Sequence, residues 1–192
     1  MKNRREASLL KGVAVRYLRW RHSKGFGVHS PFAYRFVTDV VNPGNYGYYA
    51  YSRIGLLLKG AEKTDANLIS LVRFLIRLSI FLNAKRIVSA GLRGRESEIA
   101  ASALGIPFTT IQEACGTKVG DLIFFDKTIP DKLLKESIEK GIAIFARNPD
   151  AETNRMLTAP LSRGLLLKER DYLLLIPRKE MAYLSYDMDF GI

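Results

Sequence analysis

The chain is poor in the residues that build metal centres and covalent cross-links. Cys115 is the single cysteine and His22 and His29 are the two histidines among 192 residues. No internal disulfide can form, and a His/Cys metal cluster is out of reach. Long apolar runs are missing too. Lys11 and Arg16 interrupt the apolar residues between Leu9 and Val15, and no uncharged stretch approaches the roughly 18 residues that a membrane span needs. A secretion signal is therefore not expected, and a cytoplasmic location is. Internal repeats and low-complexity linkers are absent as well.

Acidic residues are scarce at one end only. Residues 1–35 hold nine Lys/Arg against one acid, residues 36–86 seven against three, and residues 87–192 fourteen against fifteen, so the net charge of +11 is +12 before residue 87 and −1 after it. A basic N-terminal module on a near-neutral body points to a nucleic acid, an anionic membrane surface or an acidic partner. A solvated basic helix face is the plainer explanation. Arg4, Arg5, Arg16, Arg19 and Lys24 are the candidate contacts for an anionic partner.

With 47% hydrophobic residues the chain can bury one substantial core. Residues 6–21 have the pattern of an amphipathic helix, with Leu10, Val13, Ala14, Tyr17 and Leu18 as its apolar stripe. After the turn at Lys24–Gly27, Ser30 is placed as N-cap and Pro31 as first residue of a second helix, with Phe32, Phe36, Val37 and Val40 facing the core. The cluster Tyr46, Tyr48, Tyr49 and Tyr51 suits a packed contact better than a stacking platform. A long helix follows from about Asp65 to Leu82, capped by Thr64 or Asp65 and apolar at Leu68, Leu71, Val72, Leu75, Ile76, Ser79 and Ile80.

From Arg86 onward, apolar runs at strand length alternate with helical patterns. Strands are expected at Ile87–Val88, Pro107–Ile111, Asp121–Phe125, Ile142–Ala146, Leu165–Lys168 and Tyr172–Ile176, with a further one between Ala182 and Phe190. Helices fit at Asp131–Lys140 and Ala151–Thr158. This predicts an α/β fold of Rossmann-like type, with a mostly parallel sheet, a C-terminal antiparallel hairpin and an N-terminal helical extension. The extension covers 1–62 and the Rossmann-like domain 63–192, as one compact unit.

The stretch RIVSAGLRGRESEIAASALG, Arg86 to Gly105, reads as strand, glycine turn and helix. Amides at such a helix start suit a polar or anionic ligand, although many βα units turn on glycine and bind nothing. Together with KGFGVHSPF at Lys24–Phe32, followed by AYRFVTDVV, and with DLIFFD at Asp121–Asp126, this unit carries a resemblance. The chain resembles bacterial class I S-adenosylmethionine-dependent methyltransferases, in particular a group whose N-terminal extension runs through a glycine-rich turn into an HSPF helix start. The resemblance implies S-adenosylmethionine as cofactor. It implies that Gly91, Leu92 and Gly94 pass under the methionine end, that Glu113 receives the ribose, and that Asp126 orients cofactor or substrate.

The same comparison of motifs marks departures. Ser89 stands where the family has an acid before the first glycine, Arg95 where it has the next glycine, and Gln112 where an acid meets the ribose. Nine residues, 112–120, fill the space in which the family places a helix, a strand and another helix, so the fold is expected to be abbreviated. No residue stands out as a catalytic base. Two readings remain open: a methyltransferase with a rebuilt pocket, or a catalytically silent relative, a pseudoenzyme, that binds an anionic partner through its basic extension. Cys115 is either a packed small residue or a reactive thiol near the cofactor position.

Overall fold

Short β-branched and aromatic runs become the strands, and their alternation decides which helices cover which face. In the computed structural model the residues described are 14, 16–22, 24–25, 27–44, 48–58, 66–90, 94–111, 116–159 and 163–192. The first helix among the described residues is α1, residues 16–22. Helix α2 (Pro31–Phe36) begins as its sequence dictates: the Ala33 amide donates to the Ser30 hydroxyl at 3.3 Å and Pro31 sits in the first turn. It widens into a π-helical turn over Val37–Val41, closed by the Asn42 amide donating to the Val37 carbonyl at 2.8 Å. Helix α3 spans Tyr49–Leu57 and helix α4 Ala66–Leu82. Asn83, at φ 52°, ends α4 in the left-handed conformation, and the Ala84 amide returns to the Ser79 carbonyl at 2.8 Å.

The α/β core follows in order: β1 (Arg86–Ala90), α5 (Arg95–Leu104), β2 (Phe108–Ile111), β3 (Asp121–Asp126), α6 (Asp131–Glu139), β4 (Ala143–Arg147), α7 (Ala151–Thr158), β5 (Leu165–Lys168), β6 (Tyr172–Ile176) and β7 (Leu184–Asp187). They form one seven-stranded sheet in the order β2-β1-β3-β4-β6-β5-β7. Strand β6 is antiparallel to β4 and β5, and every other pairing is parallel. The expected α/β fold with a mostly parallel sheet and a C-terminal antiparallel pair is what the chain adopts. Strand β7 adds a parallel edge beyond β5.

Period-two alternation sorts the core into two layers. Ile87, Leu122, Phe124, Phe145, Leu167 and Leu174 point to the face covered by α4 and α5. Val88, Ile123, Phe125, Ile144, Leu166 and Leu175 point to the other, where Leu133 and Leu134 of α6 and Leu157 of α7 cover them. The N-terminal segment joins the first layer through Phe36, Val40 and Ile54. Helix α4 lies between the sheet and this segment, so its buried surface is wider than the sequence stripe. Phe74 and Leu78 are buried as well, whereas Ile80 is exposed.

The tyrosine cluster is a contact. Tyr48 and Tyr51 pack at 5.2 Å, and Tyr51 carries the Arg73 guanidinium over its ring while its hydroxyl accepts from Arg77 at 3.1 Å. Tyr49 is exposed, and Tyr46 lies outside the described residues.

The connection at 112–120 has an unusual task, because β2 and β3 flank β1 on opposite sides. Its second half is described and contains no helix. It is pinned instead by polar contacts. Arg86 donates to the Gly116 carbonyl at 2.8 Å, the Thr117 hydroxyl donates to Glu136 at 3.1 Å, and Lys140 donates to the Thr117 carbonyl at 2.8 Å. Asp121 anchors the end of the crossing, accepting from Arg86 at 3.0 and 2.5 Å and from the Lys118 amide at 2.7 Å.

Candidate functional site

Where the chain reverses its direction of travel across a parallel sheet, a crevice opens beyond the C-terminal ends of the strands. Here the chain moves outward from β1 to β2 and then returns to β3 on the far side of β1. The switch point therefore lies above β1 and β3, with the start of α5 as one wall. Alternation places Ser89, Asp126 and Arg147 on the α4/α5 side of the sheet, together with Phe124, Phe145 and Tyr172.

Arg147, the last residue of β4, occupies the centre of this group. Its Nη1 donates to Glu96 Oε1 at 2.6 Å and its Nη2 to Asp126 Oδ2 at 3.0 Å. The side chains of Arg147, Glu96 and Asp126 are only 17%, 13% and 16% exposed. Beneath the guanidinium lies the Phe124 ring, 5.6 Å away, and Tyr172 stacks on Phe145 at 5.6 Å with the planes 6° apart. Burial works against the charge of Arg147, but the bonds to Glu96 and Asp126 outweigh it and raise its pKa above the ordinary guanidinium value. Burial likewise raises the Tyr172 phenol, partly offset by Arg147.

At this switch point two buried polar atoms, Asp126 Oδ1 and Ser89 Oγ, have no hydrogen-bond partner among the described residues. The strands end under strain in the same layer. Lys127 at φ 69° and Asn148 at φ 46° directly follow β3 and β4 in the left-handed region. The Lys127 amide donates to the Arg147 carbonyl at 2.9 Å and the Asn148 amide to the Asp171 carbonyl at 2.6 Å, which ties the strand ends together.

Farther along this edge, beyond β4 and β6, a polar cleft of about 460 Å³ is lined by Arg19, Asn148, Asn154, Lys168, Glu169 and Tyr172, among others. Burial raises the pKa of Glu169 above the usual carboxylate range, although its carboxylate accepts the Phe190 amide at 3.0 Å.

Of the candidate cofactor residues, Asp126 sits at the switch point, where it accepts a hydrogen bond from Arg147. Gly94 precedes α5, and a Cβ there would lie 2.7 Å from Ser89 Oγ and 3.1 Å from Phe108 Cζ, so its role in this fold is to let the helix start press onto β1 and β2. Gly91, Leu92 and Glu113 lie outside the described residues, as do Arg93, Gln112 and Cys115. Arg95 is exposed. Arg4 and Arg5 also lie outside, Arg16 is exposed, Arg19 lines the polar cleft, and Lys24 donates to Asn42 Oδ1 at 3.3 Å. The site thus unites Asp126 with Arg147, Glu96 and Tyr172, none of which the motifs singled out. The available signal was the charged end of the apolar run AIFAR, which alternation puts on the same face as Phe145 and Asp126.

No family model matches the chain, and no curated protein matches its sequence. Among the described residues no group of three or more His, Cys, Asp or Glu could hold a metal ion, and no helix is long and apolar enough to cross a membrane.

Proposed function

We propose that the chain is a methyltransferase-like protein whose methyl-transfer function has been lost, and which acts by binding an anionic partner through its basic N-terminal region. The resemblance to class I methyltransferases rests on the HSPF start, the strand-glycine-helix unit and DLIFFD. The parallel sheet with one reversed strand between β4 and β5, and with the chain switching sides around β1, is consistent with an abbreviated form of that fold.

One observation carries the loss of chemistry: Arg147 is bonded to both Glu96 and Asp126. S-adenosylmethionine bears a sulfonium cation, which needs neutral or anionic surroundings. At this switch point the two carboxylates share one guanidinium, which leaves the trio at a net charge of −1 but places that guanidinium, poorly solvated, between them and a second cation. Ser89 in place of an acid removes a further negative group, and its hydroxyl is buried against the start of α5. The pairing of both carboxylates with Arg147 and the serine at position 89 support the reading that the cofactor is not bound. A cytoplasmic setting belongs to the same reading.

Thermal unfolding with S-adenosylmethionine and S-adenosylhomocysteine tests it. A ligand at about 100 times its Kd stabilises a protein by ~2.7 kcal/mol, a rise of roughly 5–10 °C for a chain of this length. The expected shift at millimolar ligand is below about 1 °C. A clear rise with either ligand contradicts the proposal.

A further inference from the structure

We infer that the outward face of α1 is a binding surface for single-stranded nucleic acid, on which Tyr17 and Trp20 stack with bases while Arg16, Arg21 and Lys24 meet phosphates. The inference rests on the reading of an anionic partner and gives that partner a chemistry.

The orientation of α1 is fixed from below. His22 Nδ1 donates to the Asp187 carbonyl at 2.8 Å and the imidazole meets Tyr186 edge-on at 5.4 Å, while Arg19 lines the cleft beside Glu169 and Asp187. Helical spacing turns Tyr17, Trp20 and Arg21 away from that side, with exposed Arg16 at the border. The apolar stripe of the sequence runs through Tyr17 and Leu18, and the structure leaves both exposed; among the described residues of α1, Arg19 and His22 face the body. Tyr17 is 56% and Trp20 52% exposed. Their rings stack at 6.0 Å with the planes 27° apart, and the Arg21 guanidinium lies 5.9 Å from the Tyr17 centroid.

A stacked aromatic pair, framed by cations and left in water, matches the chemistry of an unpaired base and its phosphate. The charge complements it, with nine Lys/Arg against one acid in residues 1–35. A duplex offers base faces only at its ends, so single strands are favoured. A membrane-surface helix presents a continuous apolar face with its cations at the border. Here Arg21 lies against the ring of Tyr17, and inserting that ring into lipid drags the charge with it.

Trp20 is the only tryptophan in the chain, so its fluorescence reports this face alone. The test titrates the full chain with single-stranded RNA and DNA of about 16 nucleotides, with a duplex of the same length, and with vesicles of phosphatidylserine and phosphatidylcholine. Anisotropy of labelled oligonucleotide is read in parallel. The expected result is quenching of Trp20 by single strands, with affinity at least about tenfold above that for duplex. Affinity should fall with salt at a log–log slope of about −0.7 per phosphate contact, hence about −2 or steeper. Tyr17→Ala/Trp20→Ala should lose about tenfold or more, Tyr17→Phe/Trp20→Phe should keep most of the anisotropy signal, and Arg16→Gln/Arg21→Gln/Lys24→Gln should flatten the slope.

Equal binding of duplex, or binding that ignores the alanine pair and responds only to the arginine changes, overturns stacking while leaving an anionic partner in place. A blue-shifted Trp20 on vesicles with no response to oligonucleotide assigns the face to a membrane and overturns the inference. Silence toward every probe overturns both it and the anionic-partner reading. None of these outcomes touches the loss of cofactor binding, which the ligand titrations decide.

Discussion

Arg147 has two carboxylate partners and little water, and that makes it the most consequential single residue of the core. Arg147→Met leaves Glu96 and Asp126 facing each other without a counter-charge, with an expected loss of about 3–5 kcal/mol in urea unfolding. Adding Glu96→Gln and Asp126→Asn should recover most of it, since neutral amides need no guanidinium. Equal stability of Arg147→Met and the natural chain contradicts a structural bridge. Glu169 gives the pH signature. Its pKa is raised in the fold by burial, so the folded state holds its proton to higher pH than the unfolded state does. The stability this contributes is present below the ordinary glutamate pKa and is lost as pH rises through the raised value. Glu169→Gln removes that dependence, so the stability of the variant relative to the natural chain should improve across that rise, as read by urea midpoints at a series of pH values. A relative stability that worsens with rising pH contradicts the sign.

Elements show why some of the structure was legible in the sequence and some was not. The strands were, because LIFF, IFA and LLLI are apolar runs of strand length between turn residues, and Ser30–Pro31 announces a helix start chemically. The order of the strands was not, because pairing is decided by contacts far apart in sequence, as when β2 and β3 land on opposite sides of β1. The site divided in the same way. Asp126 could be placed at the end of a buried strand, but Arg147 finds Glu96 and Asp126 at separations of 51 and 21 residues. Gly94 is an element-level case. The start of α5 approaches β1 so closely that a Cβ meets Ser89 Oγ at 2.7 Å and Ser89 Cβ at 3.0 Å. Gly94→Ala should cost about 1–3 kcal/mol of stability through overpacking, with no ligand present. An unchanged unfolding midpoint returns Gly94 to the list of residues whose role is in binding.

At the scale of the molecule, charge and chemistry are separated. The basic excess lies in the segment before β1. The α/β body is near neutral, with Arg147 bridging two carboxylates at the switch point and Arg86 holding the end of the crossing from β2 to β3. A fold of this class ordinarily exposes its chemistry at the strand ends. In this chain that edge is tied together by Arg147, Glu96 and Asp126, and exposed aromatic rings beside cations lie on α1 instead. We propose that this crevice does not take S-adenosylmethionine. Isothermal titration calorimetry of the full chain with S-adenosylmethionine and S-adenosylhomocysteine tests it most directly. No saturable heat is expected up to millimolar ligand, whereas a saturable isotherm with a micromolar Kd for either ligand would show that the pocket is intact and that the proposed loss of cofactor binding is wrong.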